Sequence, residues 1–381
     1  LLPKGARIVQ LLQRFVEDEE QRRGWLLTKT PFMAKSDLYK ISGHWDHYKD
    51  GMFVLGDEEK DKEVFALRPM TCPFQYQAYL NRKRSYRDLP LRYNETSTLF
   101  RNEASGEMHG LIRVRQFTIS EGHLMCTPEQ LEDEFRKCLE LAIFMLKTLG
   151  LYEDVSYRFS QWDPNDRAKY IGTEEQWNEA QEIMGRILDD LGVKYTVGID
   201  EAAFYGPKLD IQYKNVFGKE DTLVTIQIDM LLAERFGMEY TDQNGQKVRP
   251  YIIHRTSLGC YERTLAYLIE KYAGALPLWM MPTQVRVLPI TDRAHDYAQE
   301  IVDRLRDAGI RAESDYRSEK LGYKIREAQM QKIPYMLVVG DRDMENQTVS
   351  VRTRAGVDLG AMSVDDFRTK CRAEIDTKVR D

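Results

Sequence analysis

The spacing of apolar residues near the start of the chain predicts a helix that leads into sheet-forming segments. Apolar side chains recur at helical intervals at five positions: Ile8, Leu11, Leu12, Phe15 and Val16. Gly24 ends this helix, and a strand-like run follows from Trp25 to Pro31. The pattern favours strands again from Glu63 to Pro69 and from Glu95 to His123. A polar interruption at residues 102–109 predicts a hairpin loop.

The middle of the chain continues this mixture of strands and helices. Thr127 is a helix cap with Pro128 at the first turn, and an apolar face then continues to Gly150. A helix is expected over residues 174–192, strands over 208–213 and 223–229, and a further helix after Leu258. Long strands joined by hairpins favour a large antiparallel sheet with flanking helices.

After Pro282 the pattern changes to a strict alternation of strands and helices. VRVLPI, RAESDY and YMLVVG are typical of strands, and a helical segment separates each from the next. This alternation predicts a small mixed α/β domain. The fold class expected from the sequence is therefore α+β, with a first domain over residues 1–281 and a second over residues 282–381.

Composition narrows the class of protein. The 381 residues are 42% hydrophobic and 30% charged, without an apolar stretch long enough to cross a membrane or a signal peptide, so we expect a cytoplasmic protein without a membrane partner. The five cysteines are scattered without a CxxC pair, which favours a reducing compartment. The net charge of −6 means that any contact with RNA must come from local patches.

Two arginine-containing runs are the first candidates for chemistry. Phe100-Arg101-Asn102-Glu103 precedes Arg113-Val114-Arg115-Gln116-Phe117 on the predicted hairpin. If the second run is a strand, Arg113 and Arg115 share one face, where two guanidinium groups suit phosphate oxygens. The alternative is an ordinary solvated hairpin at a sheet edge.

These runs resemble motif 2 of the class II aminoacyl-tRNA synthetases. Gly24-Trp-Leu-Leu-Thr-Lys-Thr-Pro31 resembles motif 1, and Leu258-Gly-Cys-Tyr-Glu262-Arg263 resembles motif 3. Three motifs in the right order are far more specific than any one of them. Longer runs such as GHWDHYKDGMF, SGEMHGLIRVR and AFYGPK are similar to the threonyl branch of that class, and the resemblance covers essentially the whole chain.

The resemblance implies an activity, partners and a domain plan. It implies a class II antiparallel catalytic domain followed by an anticodon-binding domain. It also implies activation of threonine by ATP and transfer to the 3′ end of threonine tRNA. Because motif 1 forms a subunit interface in that class, a homodimer is expected. Two alternatives stay open: a prolyl-type or other class II synthetase, and a non-catalytic paralogue that binds tRNA or an amino acid.

The resemblance also assigns roles to residues of the first domain. The catalytic residues implied are Arg101, Arg263 and His44, with His44 near the tRNA 3′ end. The residues implied for ATP, which binds with Mg²⁺, are Arg101, Glu103, Arg113, Thr225, Gln227 and Arg263. The residues implied for the amino acid are Met70, Glu121, Tyr205, Lys208 and Gln227.

The resemblance further implies a bound metal ion and a group of residues that contact the tRNA anticodon. The resemblance implies one zinc ion per subunit, held by Cys72, His123 and His254; by spacing alone, each would be an ordinary core residue. Two departures lie beside it, because Ile119 stands where the family has glutamine and Glu121 where it has aspartate. Anticodon contacts are implied for Arg326, Asp343 and Arg352.

Overall fold

The computed structural model describes residues 1–378, which form two compact units. The larger unit contains residues 12–267, and the smaller contains residues 1–11 together with the chain from residue 268 onward. Within residues 1–378 we find no helix with the length and apolar content needed to span a bilayer.

The larger unit contains one wide sheet and two small ones. Its strands are β1 (Leu26–Leu27), β2 (Met33–Lys35), β3 (Val54–Leu55), β4 (Phe65–Leu67), β5 (Leu91–Phe100), β6 (Gln116–Cys126), β7 (Val155–Gln161), β8 (Thr196–Ile199), β9 (Lys208–Lys214), β10 (Glu220–Asp229), β11 (Tyr240–Thr241), β12 (Lys247–Val248) and β13 (Tyr251–Cys260). The helices up to residue 272 are α1 (Pro3–Arg22), α2 (Ser36–Ser42), α3 (His44–Tyr48), α4 (Cys72–Leu80), α5 (Leu131–Leu149), α6 (Glu174–Asp190), α7 (Leu232–Arg235) and α8 (Tyr261–Tyr272).

The wide sheet has eight strands in the order β1-β5-β6-β13-β10-β9-β7-β8. All pairs from β5 to β7 are antiparallel, and the two edge pairs, β1 with β5 and β7 with β8, are parallel. Helix α5 packs against β13 and β10 through an apolar face that ends at Gly150, which adopts a left-handed conformation. The sheet therefore has a covered face behind its central strands.

The register of the central strands sets polar side chains side by side. Lys208 on β9 is opposite Gln227 on β10, Gln227 is opposite His254 on β13, and His254 is opposite His123 on β6. Residues directly opposite each other on neighbouring strands point to the same face of a sheet. Four polar side chains thus form one row across four strands.

A buried ion pair joins the segment that follows β4 to strand β5 of the wide sheet. Arg68 Nη1 lies 2.9 Å from Glu95 Oε1, and the two side chains are 1% and 4% exposed. Glu95 also accepts hydrogen bonds from the hydroxyls of Thr28 and Thr30. Because these buried charges meet one another and further donors, the segment around Thr28 is fixed against β5.

The smaller unit is built on a five-stranded mixed sheet. Its strands are β14 (Val285–Pro289), β15 (Ala312–Ser314), β16 (Tyr335–Val339), β17 (Thr348–Thr353) and β18 (Asp358–Ser363), in the order β15-β14-β16-β17-β18. Its further helices are α9 (His295–Asp307), α10 (Leu321–Met330), α11 (Asp341–Asn346) and α12 (Val364–Thr377). Strands β15, β14 and β16 run parallel, whereas β17 and β18 are antiparallel.

The α+β expectation is confirmed, with two corrections of detail. Arg113 and Arg115 lie in the connection from residue 101 to residue 115, because β6 starts at Gln116; the two arginines do not share a strand face. The sequence pattern also predicts that Arg352 and Arg354 alternate on one strand of the smaller unit, but Arg354 lies beyond the end of β17. Polar turn residues flank both strand ends, and a period of two in the sequence does not show where pairing stops.

The buried ion pair yields a stability prediction. Replacing Arg68 with Ala leaves the Glu95 carboxylate buried without its cation, and we expect the free energy of unfolding to fall by about 3–5 kcal/mol. Urea titration followed by circular dichroism measures this change. The matched control is Arg82→Ala, because Arg82 forms an exposed ion pair with Asp88 at 3.4 Å. That pair should contribute less than about 1 kcal/mol. Equal losses for the two variants would contradict the role assigned to Arg68.

Candidate functional site

The larger unit contains a cavity of about 630 Å³ on the polar row of the wide sheet. Its lining includes every residue that the sequence suggested for catalysis, for the nucleotide and for the amino acid: His44, Met70, Arg101, Glu103, Arg113, Glu121, Tyr205, Lys208, Thr225, Gln227 and Arg263. These residues are far apart in the sequence, and the folded chain places them around one cavity. Their roles stay predictions.

Two arginines of the cavity are held in place by backbone carbonyl groups. Arg263 on α8 donates through Nε to the carbonyl oxygen of Ile112 and through Nη1 to that of Thr222, both at 2.9 Å. Arg101 follows β5, donates weakly to Pro69 O at 3.4 Å and stacks over the ring of Phe117 at 5.1 Å. Guanidinium groups fixed in this way present their remaining donors to an anion at low conformational cost.

The start of α8 depends on a glycine. Gly259 has φ of +79°, and a Cβ there would lie 2.0 Å from the carbonyl oxygen of Leu223. A side chain is excluded at this position on both counts. The close approach of β13 to β10 before α8 therefore fixes where Arg263 enters the cavity.

The connection between β5 and β6 places a carboxylate and a guanidinium group at the same cavity. Glu103 Oε2 is 3.8 Å from Arg113 Nη1, and Glu107 Oε2 is 3.7 Å from the same nitrogen. Arg115 instead binds the Glu103 carbonyl and the Ser105 hydroxyl, and it is absent from the cavity lining as far as residues 1–378 describe it. Of the two arginines in the second run, the structure therefore brings Arg113 to the site.

A buried aspartate that the sequence did not single out organises one side of the cavity. Asp210 is 0% exposed and accepts hydrogen bonds from the hydroxyls of Ser160 and Thr225 at 2.7 and 2.9 Å. Its carboxylate also lies 3.0 Å from Lys208 Nζ and 3.2 Å from Arg158 Nη2. The spacing of Lys208 and Asp210 by two residues on β9 was the available signal, because it places both on one face.

A candidate metal centre lies beside the end of the cavity that Glu121 and Tyr205 line. Cys72, His123 and His254 are all buried, and their ligand atoms lie within 4.8 Å of one another. Cys72 begins α4, while the two histidines are opposite each other on β6 and β13. One thiolate and two imidazoles are a ligand set that zinc favours.

Hydrogen bonds around the two histidines fit a metal ion. His123 Nδ1 bonds to Gln75 Oε1, which can only accept, so Nδ1 carries the proton. Its Nε2 is buried without a hydrogen-bond partner within residues 1–378. His254 Nε2 lies 2.8 Å from Asp229 Oδ2, which leaves Nδ1 as its bare nitrogen. Each imidazole thus has one nitrogen fixed by an acceptor and one available as a ligand.

Burial shapes the ionisation of this group. It lowers the pKa of His123 well below the usual range, and the neighbouring His254 and Arg255 act in the same direction. It also raises the pKa of the Cys72 thiol, as do the nearby carboxylates of Glu121 and Asp229. A divalent cation has the opposite effect on a thiol, since it favours the thiolate. The residues present therefore fit a zinc site.

The two departures from the family pattern take up positions beside the candidate metal centre. Glu121 Oε2 accepts from the backbone N–H of Thr71 at 3.1 Å, and its other oxygen is 3.6 Å from His123 Nε2. Burial raises the pKa of Glu121. Ile119 packs on a small apolar cluster around Phe117 while also lining the cavity. This end of the cavity is therefore bounded by one carboxylate and one apolar side chain.

Tyr205 connects the metal centre with the polar row. Its hydroxyl donates to Gln227 Oε1 at 2.9 Å, and its ring lies 4.9 Å from that of His254. Because Gln227 Oε1 is used in this way, its amide nitrogen remains as a donor toward the cavity.

His44 is a buried, neutral imidazole at the edge of the cavity. Burial lowers its pKa to about 3, and the neighbouring His254 and Arg101 contribute in the same direction. Its Nδ1 is 2.8 Å from Ser42 Oγ, and that hydroxyl donates to Tyr39 O. Ser42 Oγ therefore accepts from His44 Nδ1, and Nε2 keeps its lone pair.

The three residues suggested for the anticodon lie in the smaller unit. Arg326 on α10 is exposed, and Arg352 on β17 pairs with Asp358 at 3.0 Å. Asp343 accepts from the backbone N–H of Gly340 and from the hydroxyls of Thr348 and Ser350. Its carboxylate therefore holds α11 to β17, and the anticodon role of all three residues stays a prediction.

Comparison with protein families defines the class. Residues 53–272 match the family described as tRNA synthetase class II core domain (G, H, P, S and T). Residues 284–374 match the family described as anticodon binding domain. An antiparallel sheet that carries arginines at a polar cavity, followed by a separate mixed α/β unit, has the architecture of the class II aminoacyl-tRNA synthetases.

Comparison with individual relatives identifies the branch of this class to which the chain belongs. The chain is 67% identical over 380 residues to threonine–tRNA ligase from Clostridium botulinum (strain Eklund 17B / Type B), a match that covers 100% of this chain and 59% of that protein. A crystal structure described as the RNA-binding domain of threonyl-tRNA synthetase from Cryptosporidium parvum Iowa II superposes with a TM-score of 0.91 at 34% identity, over 98% of this chain and 92% of that one. The chain therefore belongs to the threonyl-tRNA synthetase family.

A prolyl-tRNA synthetase from Cryptosporidium parvum, in complex with L-proline and AMP, superposes with a TM-score of 0.73 at 18% identity, over 99% of this chain and 70% of that one. At that identity it shares the fold.

The hydrogen bond from His123 to Gln75 generates a prediction about metal affinity. Gln75→Met keeps the side-chain length but removes the acceptor that fixes the tautomer of His123, and we expect zinc affinity to fall about 10–100-fold. Competition with a chromophoric chelator measures the affinity, and the visible spectrum of the Co²⁺-substituted protein reports the ligand geometry. The control is Gln77→Met, an exposed glutamine on the same helix. Equal zinc affinities for the two variants would contradict the prediction.

Proposed function

We propose that the chain is the catalytic and anticodon-binding part of a threonine–tRNA ligase. In the first step, the threonine carboxylate attacks the α-phosphate of ATP and releases pyrophosphate. In the second step, the threonyl group moves to the terminal adenosine of threonine tRNA. The chain spans 59% of the length of the C. botulinum relative that it matches, so the whole protein's activity is part of this proposal.

One observation carries the proposal. Two arginines anchored by backbone carbonyls line one cavity, and a buried Cys-His-His group lies beside the same cavity, next to its lining residues Glu121 and Tyr205. The arginine end suits a triphosphate, and the metal end suits a small ligand with an amino group and a hydroxyl. These are the two substrates of threonine activation.

For activation, we assign the nucleotide to Arg101, Glu103, Arg113, Thr225, Gln227 and Arg263, with Mg²⁺ bound to the phosphates. Arg263 and Arg101 stabilise negative charge that develops on the phosphates, and Glu103 accepts from the adenine amino group. The carboxylate of threonine is itself the nucleophile, so this step needs no general base from the protein.

For threonine selection, we assign Met70, Glu121, Tyr205, Lys208 and Gln227 to the amino acid and Cys72, His123 and His254 to one zinc ion per subunit. Zinc held by these three protein ligands would leave room in its coordination sphere for the amino group and the hydroxyl of threonine. Valine lacks the hydroxyl and would leave polar groups of the site unpaired, so it is disfavoured. Glu121 supplies a carboxylate that can accept a hydrogen bond from the threonine hydroxyl.

For transfer, we assign His44 to the ribose hydroxyl of the tRNA 3′ end. Its lone pair on Nε2 is available at neutral pH because its pKa is lowered to about 3. A neutral imidazole can take a proton from the hydroxyl as the ester forms.

We further propose the domain plan and assembly that the sequence suggested. Residues 1–281 form the catalytic domain and residues 282–381 the anticodon-binding domain, where Arg326, Asp343 and Arg352 contact tRNA. Leu26 and Leu27 on the edge strand β1 are 52% and 64% exposed, which supports a homodimer through this segment. The proposed location is the cytoplasm.

The first test of the function is threonine-dependent exchange of pyrophosphate into ATP, measured against all twenty amino acids. We expect threonine to drive exchange, a strong chelator to abolish it, and added zinc to restore it. Exchange driven by proline would favour a prolyl-type enzyme. If no amino acid drives exchange, a non-catalytic paralogue is favoured.

The second test separates the two steps at His44. His44→Ala should leave threonine-dependent exchange within about twofold of the wild type and slow transfer to tRNA about 10²–10⁴-fold, the range for loss of a general base. Single-turnover transfer from preformed adenylate measures the second rate. His47→Ala is the control, because His47 neighbours the site and stacks on Phe204. An unchanged transfer rate in His44→Ala rejects the assigned role.

A further inference from the structure

A second polar cavity, in the smaller unit, is lined by arginines. It has a volume of about 390 Å³, and Arg7, Arg306 and Arg311 lie in its wall. Arg372 adds a fourth guanidinium nearby, since its Nη1 lies 3.6 Å from the position of a Cβ on Gly309, a wall residue, although Arg372 itself pairs with Asp376. We refer to this site as the arginine pocket.

The positive charge of the arginine pocket is not balanced by its own wall. Among the described lining residues the acid is Glu313, and its carboxylate pairs with Arg286. Within residues 1–378, Arg7, Arg306 and Arg311 form no ion pair with a carboxylate. Like charges gathered without a counter-ion are unfavourable unless an anion joins them.

Two of these arginines are fixed in position by backbone oxygens. Arg306 donates through Nε to Ala312 O at 3.0 Å. Arg311 donates through Nε to Met281 O at 2.9 Å and through Nη2 to Trp279 O at 2.8 Å. These bonds leave both terminal nitrogens of Arg306 and one of Arg311 without a hydrogen-bond partner among the described residues. Anchored guanidinium groups of this kind bind phosphate oxygens with little loss of entropy.

The electrostatics of Arg311 agree with this geometry. Burial lowers the pKa of Arg311 to about 10, and the positive charges of Arg7 and Arg372 contribute. The guanidinium remains charged at neutral pH, so it is a partly buried cation with cations as neighbours.

We propose that the arginine pocket binds a phosphate group of the tRNA backbone, outside the anticodon contacts assigned to Arg326, Asp343 and Arg352. The pocket is larger than a phosphate ion and has room for the attached ribose. Contacts to phosphate fix the position of a nucleic acid without reading its sequence. This inference rests on the proposed function, because it assumes that the chain binds tRNA.

The test is the salt dependence of threonine tRNA binding to the whole chain. Each phosphate contact contributes about 0.7–0.9 to the slope of log affinity against log salt concentration. We expect Arg306→Ala and Arg7→Ala each to weaken binding at least threefold and to lower the magnitude of this slope. Arg306→Lys keeps the charge and should retain most of the slope.

The matched control is Arg304→Ala. Arg304 lies on the same helix α9, but it pairs with Asp365 at 2.9 Å. Its removal should leave affinity and slope nearly unchanged. If Arg306→Ala and Arg7→Ala behave like Arg304→Ala, the proposal is overturned. Threonine-dependent exchange without tRNA should be equal in all these variants, which excludes misfolding as the cause of a loss.

Two further outcomes are informative. One shows whether the arginine pocket binds a free anion instead of RNA, and the other shows whether the proposed function itself is wrong. If the tRNA slope is unchanged but inorganic phosphate raises the melting temperature of the wild type and not of Arg306→Ala, the pocket holds a free anion and the assignment to RNA is wrong. If the folded wild-type chain binds no threonine tRNA, the proposed function itself fails. That result comes from the wild type alone and is thus distinguishable from a failure of the arginine pocket.

Discussion

The site depends above all on the register of four neighbouring strands. Hydrogen bonding between β9, β10, β13 and β6 sets Lys208, Gln227, His254 and His123 in one row. A slip of one residue in any pair would turn the side chains of that strand to the opposite face. The candidate metal centre can lie beside the cavity that contains the arginines because this register is kept.

Buried polar groups specify the register of these strands more strictly than apolar packing alone would. Asp210 ties Lys208 to Thr225 across β9 and β10, and Asp229 holds His254 across β10 and β13. Each carboxylate is fully buried and meets several donors, so an alternative register would leave charges unpaired in the interior. The groups that position substrates in the proposed reaction are thus also groups that specify the fold.

Periodicity alone predicted the broad organisation of the chain. It indicated the antiparallel sheet, the change to an alternating pattern after Pro282 and most of the helices, because these depend on local apolar spacing. It missed the exact end of β5 and start of β6, which misplaced Arg113 and Arg115. The candidate metal centre could not follow from spacing, since Cys72 and His254 meet through pairings that no local pattern encodes.

The resemblance to the class II synthetases predicted the metal ligands, but not the residues that hold the site in place through hydrogen bonds. Gln75, Asp229 and Asp210 carry no motif, and their importance depends on which acceptor faces which donor in three dimensions. Gln75 shows the limit most clearly. In the sequence nothing distinguishes it from other polar residues, while in the structure its oxygen determines which nitrogen of His123 is bare.

The candidate metal centre draws its ligands from α4, β6 and β13, so the group exists only when these elements are assembled. An ion that binds the native chain and not the unfolded one adds its binding free energy to that of folding, about 1.4 kcal/mol for each tenfold excess over its dissociation constant. With the proposed zinc ion in this role, open, protease-sensitive chains would become more numerous as zinc becomes scarce. The amount of this protein in a cell would then follow the zinc supply, with no dedicated regulator required.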